Sequence, residues 1–118
     1  MVTSESVTGD ILTHHLTAFG NNDIEEILKD YTEQSELLTP NGPLKGLTPI
    51  RQFFADYFAV IPTGSTFQLN QLTVTGNVAY VAWASESDVA KIPMGTDSFF
   101  LEGDKILFHT VADYRIIK

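Results

Sequence analysis

The sequence predicts an α+β fold in which three N-terminal helices pack on one face of a strongly curved antiparallel sheet. Before Gly64, apolar residues recur at three- and four-residue spacing, which is the period of a helix. After Gly64, the chain is rich in β-branched and aromatic residues, which is typical of strands. Short turn segments separate these strands, so the sequence favours hairpins over alternating strand–helix units.

The three predicted helices are separated by turn residues. The first covers Asp10–Gly20, because its apolar residues share one face until the glycine. The second has an apolar stripe over Ile24–Tyr31 and acidic residues in its first turn, with Asn21 or Asn22 as its cap. The third covers Thr48–Ile61, with threonine as its cap, proline in the first position and an aromatic face.

The predicted strands follow a short strand at Glu36–Leu38. That strand runs into a loop, because the next segment, Thr-Pro-Asn-Gly-Pro, suits neither a helix nor a central strand. The longer strands are Phe67–Val74, Val78–Ser87, Thr96–Leu101 and Lys105–Ile116. We expect a loop at Pro93–Gly95 and a hairpin turn at Glu102–Asp104.

Composition limits the classes of function. A chain of 118 residues can form one core, so we expect a single domain over residues 1–118. Its 15 acidic and 7 basic residues give a net charge of -8, which disfavours nucleic acid and membranes as partners. Cysteine is absent, which excludes thiolate chemistry and favours a cytoplasmic location. The three histidines lack metal-binding spacing, so neither a metal nor a cofactor is expected.

Four segments in register carry a resemblance to a known family. They read HHLTAFGNNDIEEIL at 14–28, a glycine followed by IRQFF at 46–54, GTDSF at 95–99 and GDKI at 103–106. Together they resemble the SnoaL-like branch of the nuclear transport factor 2-like superfamily. The resemblance implies a cone-shaped α+β barrel, an apolar pocket inside the cone and a homodimer. It implies no single reaction, because the superfamily contains isomerases, cyclases, hydrolases, dehydratases and non-catalytic members.

The ketosteroid isomerases of this superfamily suggest three positions to compare. Their pocket tyrosine corresponds to His15, their general-base aspartate to Thr39 and their protonated aspartate to Asp97. Only Asp97 retains the residue type of the isomerases. A threonine hydroxyl is no carboxylate base, so the resemblance does not favour isomerisation of the steroid type.

The polyketide cyclases and epoxide hydrolases of the superfamily suggest further positions. The cyclase pattern Lys-Ile-x-x-His-x-Asp matches at His109 but has Val111 in place of its aspartate, and Asp113 lies two residues further on. The epoxide hydrolases require an arginine where this chain has Gly95, so that activity is not expected.

Strand pairing decides whether Asp97 and His109 can meet. A three-residue hairpin turn places Asp97 directly opposite His109 on one face of the sheet. A two-residue turn pairs Asp97 with Thr110 and turns His109 to the other face. The resemblance favours the first register, in which a carboxyl and an imidazole form an acid–base pair.

We therefore predict a pocket for a small, largely apolar or aromatic molecule, with polar residues that act as acid, base or hydrogen-bond donor. The predicted catalytic residues are Asp97, His109, His15 and Asp113. The predicted wall residues are Phe19, Tyr31, Leu38, Phe54, Tyr57, Phe58, Val81, Trp83, Phe99 and Val111.

Two hypotheses remain open from the sequence. The first is a cofactor-independent isomerase, cyclase or dehydratase that uses Asp97 and His109 as acid–base partners, with His15 polarising an oxygen. The second is a non-catalytic dimeric ligand-binding or interaction module whose dimer uses the outer sheet face, with Tyr80 and Ala82. Simpler interpretations also stand, since His15 suits a core histidine and Asp113 an ion pair with a nearby arginine.

Overall fold

The computed structural model describes residues 3–118 and confirms the α+β fold. Three helices pack on a six-stranded sheet that is curled but not closed, with the strand order β2-β1-β6-β5-β4-β3. The helices are α1 (Ser4–Gly20), α2 (Ile24–Leu28) and α3 (Leu47–Val60). The strands are β1 (Glu36–Thr39), β2 (Gly42–Lys45), β3 (Thr66–Thr75), β4 (Val78–Glu86), β5 (Ala90–Glu102) and β6 (Lys105–Ile117). The sheet is mixed, because β1 runs parallel to β6.

Helix α1 begins earlier than the apolar pattern predicts. Thr3 caps it, and a reciprocal capping box joins the side chains and backbone of Thr3 and Ser6. The first turns lack a clear apolar stripe, but Thr8 is buried there and its hydroxyl donates to the carbonyls of Ser4 and Gly76. The predicted start at Asp10 is therefore wrong by six residues, measured to Ser4.

The caps of α2 and α3 also differ from the prediction. Asp23, rather than either preceding asparagine, caps α2, because Asn22 lies in the left-handed region with φ of 52°. Helix α3 begins at Leu47 after Gly46, whose φ of 90° suits a glycine. A carboxylate oxygen of Glu33 accepts a hydrogen bond from the Leu47 N–H at 2.7 Å and takes the part predicted for Thr48.

Two segments predicted as loops belong to strands. Gly42–Lys45 pairs with β1 as the edge strand β2, where a proline is tolerated because the outer side of an edge strand needs no ladder bonds. Pro93–Gly95 lies inside β5, and the irregular pairing between Lys91 and Met94 absorbs its departure from regular geometry. Strand β5 is consequently much longer than predicted.

The β5–β6 register combines features of both predicted alternatives. The hairpin turn has two residues, which on its own would pair Asp97 with Thr110. A bulge inserts Leu107 between paired residues of β6 and shifts the register by one more position. Asp97 therefore lies opposite Val111, and the prediction that it lies directly opposite His109 is wrong. The shift still keeps Asp97 and His109 on the same face of the sheet.

The core lies between the helices and the concave face of the sheet. Its fully buried members include Leu12 of α1, Ile27 of α2, Ile50 of α3 and Leu101 of β5. Within residues 3–118, no helix is long and apolar enough to span a membrane.

A charged cluster joins α1 to the segment around α2. The two ring nitrogens of His14 lie 2.7 Å from Asp30 Oδ2 and 3.0 Å from Glu26 Oε1. Hydrogen bonds to Glu26 and Asp30 raise the pKa of His14 above its ordinary value. The protonated imidazole therefore holds two acidic side chains of the helical layer together.

This cluster predicts a loss of stability above neutral pH. Because the pKa of His14 is higher in the folded than in the unfolded state, its contribution is complete below about pH 6.5 and is lost as pH rises through the raised value. The cluster is partly exposed, so we expect a change below about 1 kcal/mol. Urea unfolding from pH 6 to 9 should show this decline, and His14→Gln should flatten it. Equal slopes for the two proteins would contradict the assignment.

Candidate functional site

A small cavity lies between helices α1 and α3 and the concave face of β4 and β5. Its volume is about 30 Å³, which is room for about two water molecules. The lining residues are His15, Leu16, Phe19, Phe53, Phe54, Tyr57, Phe67, Val81, Trp83, Asp97 and Phe99. Aromatic rings thus form most of the wall and nearly fill the space. Asp97, His15 and Tyr57 are the titratable residues of this wall.

Asp97 is the cavity-facing member of a chain of hydrogen bonds. Trp83 Nε1 donates to its Oδ1 at 2.7 Å, and His109 Nε2 lies 2.6 Å from its Oδ2. The other ring nitrogen of His109 lies 2.8 Å from the hydroxyl of Tyr31. His109 is 1% exposed and Tyr31 is 4% exposed, so this series of hydrogen bonds is shielded from water.

One placement of protons gives every donor in this series of hydrogen bonds an acceptor. Burial raises the pKa of Tyr31 well above its ordinary value, so its hydroxyl keeps its proton and can donate it to Nδ1 of His109. Nε2 of His109 then carries the ring proton and donates to Asp97. Asp97 accepts from Trp83 as well, which makes it a carboxylate with two fixed donors.

His15 provides a second polar group, and this one lacks a partner. It is 3% exposed, and its Nδ1 has no hydrogen bond among residues 3–118. Its ring centroid lies 5.1 Å from that of Phe99 and 5.8 Å from that of Phe54. Burial is the main cause that lowers the pKa of His15 to about 3, and the positive charge of His14 adds to it. The imidazole is therefore neutral and keeps an unused hydrogen-bonding nitrogen.

Trp83 holds its position because its neighbour across the ladder is a glycine. Gly95 lies opposite Trp83, and a Cβ added there would come within 2.2 Å of two carbons of the indole ring. The indole therefore lies directly over the Gly95 backbone. It supplies Asp97 with an N–H donor.

The structure brings many of the predicted site residues together at the cavity. His15 and Asp97 line it, as do the predicted wall residues Phe19, Phe54, Tyr57, Val81, Trp83 and Phe99. His109 and Tyr31 lie behind this wall, where they bond to each other. Phe58 packs against Phe19 without lining the cavity.

Leu38 does not belong to the wall. It is 38% exposed, whereas its neighbour Leu37 is fully buried and pairs with His109. The two residues alternate across strand β1, so Leu37 and not Leu38 lies on the concave face, and the prediction for Leu38 is wrong.

Asp113 and Val111 lie in a separate outer groove of about 600 Å³ between α3, β6 and the β1–β2 turn. Asp113 accepts two hydrogen bonds from Arg115, each at 2.8 Å, and one from the hydroxyl of Tyr57 at 2.5 Å. Burial raises the pKa of Asp113, but these hydrogen bonds outweigh burial and leave it below its ordinary value. Asp113 is therefore an ion-paired carboxylate outside the inner cavity.

Thr39, which corresponds to the isomerase base, also faces this groove and has a local structural role. Its hydroxyl donates to the carbonyl of Gly42 at 2.9 Å and accepts from the N–H of Asn41 at 3.0 Å. The hydroxyl therefore stabilises the β1–β2 turn, and Thr39 does not line the inner cavity.

Three lining residues were not predicted: Leu16, Phe53 and Phe67. Phe67 could have been found, because it is the first apolar residue of β3 and strands of this curved sheet alternate between the two faces. Its ring stacks on Trp83 at 5.5 Å and lies 6.0 Å from Phe19. Phe67 lines the cavity and is 40% exposed, so it borders both the cavity and solvent.

The described residues offer no evident metal centre. Among residues 3–118, no group of three or more His, Asp or Glu side chains is arranged to hold a metal ion.

A comparison with protein-family models assigns the chain to one family. Residues 12–118 match the family model described as a SnoaL-like domain. Among curated protein sequences, none matches the chain.

Three solved structures illustrate the shared fold. A protein from Kribbella flavida, proposed to be a ketosteroid isomerase, is 14% identical, with a TM-score of 0.79 over 95% of this chain and 81% of that one. The epoxide hydrolase/cyclase-like enzyme SalBIII is 18% identical, with a TM-score of 0.77 over 94% and 95%. A protein from Sinorhizobium meliloti, proposed to be a polyketide cyclase, is 16% identical, with a TM-score of 0.72 over 87% and 94%. At these identities the likeness shows the fold alone.

Proposed function

Because the chain belongs to the SnoaL-like domain family, we propose that its inner cavity, enlarged when the exposed Phe67 ring moves aside, binds a small aromatic molecule carrying a carbonyl group and catalyses proton transfer next to that carbonyl. The observation that carries this proposal is the pairing of an oriented carboxylate with an unpartnered imidazole in an otherwise aromatic cavity. A buried polar group without a partner costs stability, so a ligand that satisfies His15 gains binding free energy.

In the proposed reaction, Asp97 is the base. Its carboxylate removes a proton from the carbon beside the carbonyl and leaves an enolate. His15, as a neutral imidazole, donates a hydrogen bond to the enolate oxygen. Asp97 then returns the proton to the same or a conjugated carbon, so the product is an isomer or an exchanged substrate.

Trp83 and His109 position the base. Their hydrogen bonds hold both carboxylate oxygens of Asp97 from the side of the sheet, which fixes the direction in which its remaining lone pairs point. Tyr31 fixes the tautomer of His109 in turn. His109 and Tyr31 act through Asp97 and contact no substrate in this mechanism, whereas Trp83 also forms part of the cavity wall.

A second candidate function is binding without catalysis. It is favoured by Thr39, the position that the resemblance compares with the isomerase base, whose hydroxyl is committed to a turn. A non-catalytic module would need the aromatic walls and His15 but not the basicity of Asp97.

Deuterium exchange of acetophenone separates the two candidates. For an enzyme, we expect the wild type to accelerate exchange of the methyl protons in D₂O, measured by proton NMR, and Asp97→Asn to lose about 100-fold or more of that rate. Gln52→Ala, which changes only the outer groove, should leave the rate unchanged. Acetophenone should also raise the melting temperature more than ethylbenzene does, because only acetophenone has an oxygen for His15. Binding without exchange would favour the non-catalytic module, and no binding would contradict both candidates.

We also propose a homodimer that uses the outer face of the sheet. Tyr80 is 40% exposed there, and the half-buried Ala82 and Ala84 provide a small, uncharged surface beside it. Ala82→Glu should lower the mass measured by light scattering.

A cytoplasmic location stays a prediction that cell fractionation would test.

A further inference from the structure

The two edges of the sheet differ in how far they are protected against pairing. Strand β2 forms one edge with four residues that include Pro43 and Lys45, both of which discourage a further strand. Strand β3 forms the other edge with ten residues, Thr66–Thr75, none of which is charged. All of its residues are exposed except Val74, which is half-buried. Strand β3 is thus a long, open edge, and β2 is a short, blocked one.

The uncharged edge is unusual in so acidic a chain. No Asp, Glu, Lys or Arg occurs between Asp56 and Glu86, although the whole chain has a net charge of -8. Two acidic copies repel each other over most of their surfaces, and this repulsion is smallest where charge is absent. The β3 edge therefore lies in the segment where electrostatic repulsion between two approaching copies is smallest.

The pattern of β3 is nearly the same when it is read in either direction. About its midpoint, Thr66 matches Thr75, Phe67 matches Val74, Gln68 matches Thr73, Leu69 matches Leu72 and Asn70 matches Gln71. Each pair joins residues of similar polarity. An antiparallel pair of β3 strands related by a two-fold axis would place these matched residues opposite each other.

The bulge in β3 makes this register geometrically consistent. In a regular strand, Leu69 and Leu72 would point to opposite faces. The β3–β4 ladder shifts between Leu69 and Gln71, so Leu69 pairs with Trp83 and Leu72 with Val81 on the concave side. Both leucines therefore share one face, as cross-strand neighbours in a single sheet must.

Apolar side chains along this edge lack full cover in the single chain. Leu69 is 42% exposed, Leu72 is 41% exposed and Phe67 is 40% exposed. From this edge we propose that β3 pairs with β3 of a second copy of the chain, antiparallel and centred between Asn70 and Gln71. The two sheets then join into one, with Leu69 of each copy against Leu72 of the other. The contact is separate from the outer-face dimer and does not depend on ligand binding.

A charge-swap experiment tests the register through Gln68 and Thr73, which lie opposite each other across the proposed contact. The double variant Q68K/T73K places lysine opposite lysine at both pairs, so we expect light scattering to give half the wild-type mass at equal concentration. Q68K/T73E places lysine opposite glutamate and should retain the wild-type mass. Circular dichroism serves as the control for folding, since both side chains are exposed in the single chain.

A cross-linking experiment distinguishes this edge from any other contact, because the chain has no cysteine of its own. Residues opposite each other in an antiparallel pair have Cα atoms about 4.5 to 5.5 Å apart, within disulfide range. Mild oxidation should therefore convert Q68C/T73C to a covalent dimer. Q68C alone should stay uncross-linked, since its two copies would lie about 17 Å apart along the strands.

Several results would overturn the proposed pairing. Equal masses for the wild type and Q68K/T73K would show that β3 does not pair with a second copy. The open edge would then be available to pair with a peptide of another protein. Failure of Q68K/T73E to retain the mass, or equal cross-linking by Q68C alone, would exclude the proposed register. A mass that grows without limit as concentration rises would indicate open-ended aggregation instead of a closed pair.

Discussion

Acidification is expected to destabilise the protein through His15. The unfolded chain takes up a proton on this imidazole near pH 6.5, whereas burial lowers the pKa of His15 in the folded chain to about 3. Between these values the unfolded state binds more protons, so the free energy of unfolding falls by about 1.4 kcal/mol for each unit of decrease in pH. Over the whole interval the loss amounts to about 4 to 5 kcal/mol, a large part of the stability of a domain of this size.

The measurement compares the wild type with His15→Leu by urea unfolding between pH 7 and pH 4.5. Leucine removes the titrating group and the unpartnered nitrogen, so the variant should be the more stable of the two by about 1 kcal/mol at pH 7. Its advantage should then increase as the pH falls below 6.5, by about 2 to 3 kcal/mol at pH 4.5. Acidic side chains titrate in both proteins and cancel in the comparison. Parallel pH profiles would mean that His15 is protonated or solvated in the folded chain.

Gly95→Ala is expected to cause the second large loss. The added methyl group would overlap two ring carbons of Trp83 at 2.2 Å, so the indole must leave its place. Overpacking of this kind costs about 1 to 3 kcal/mol. Loss of the donor to the Asp97 carboxylate adds about 1.5 kcal/mol or more. We therefore expect the free energy of unfolding to fall by about 2.5 to 4.5 kcal/mol.

Fluorescence provides a second readout, because Trp83 is the sole tryptophan of the chain. Its emission should shift to longer wavelength in Gly95→Ala as the indole becomes more exposed. Gly9→Ala is the matched control, since a Cβ there meets no atom within 4 Å and an alanine inside α1 should add about 0.5 to 1 kcal/mol. If Gly95→Ala had the same stability and emission as the wild type, the close contact between Gly95 and the Trp83 indole would be contradicted.

The periodic parts of the fold could be predicted from the sequence, and the irregular parts could not. Apolar spacing located all three helices, and β-branched stretches located the long strands. The start of α1 was missed because it depends on the capping box of Thr3 and Ser6, and serine is a weaker signal there than the usual Glu or Gln. The β2 strand was missed because proline and glycine generally mark loops, although edge strands tolerate them.

Site residues could be predicted where the polarity of a side chain differs from that of the surrounding helix or strand. Asp97 and His15 are polar residues within apolar patterns, and both line the cavity. The role of Tyr31 could not be predicted, because it belongs to the apolar stripe of its segment and its partner His109 lies 78 residues away. The β5–β6 register depends on a bulge that no residue type marks, so the position of Asp97 relative to His109 required the structure.

A crystal structure with bound acetophenone would test the central claim most directly. We expect the phenyl ring to lie among Phe19, Phe54 and Phe99 after the Phe67 ring has moved aside. The carbonyl oxygen should then be within hydrogen-bond distance of His15, with the methyl carbon beside the carboxylate of Asp97. Acetophenone bound in the outer groove near Arg115, with the inner cavity still closed, would contradict it.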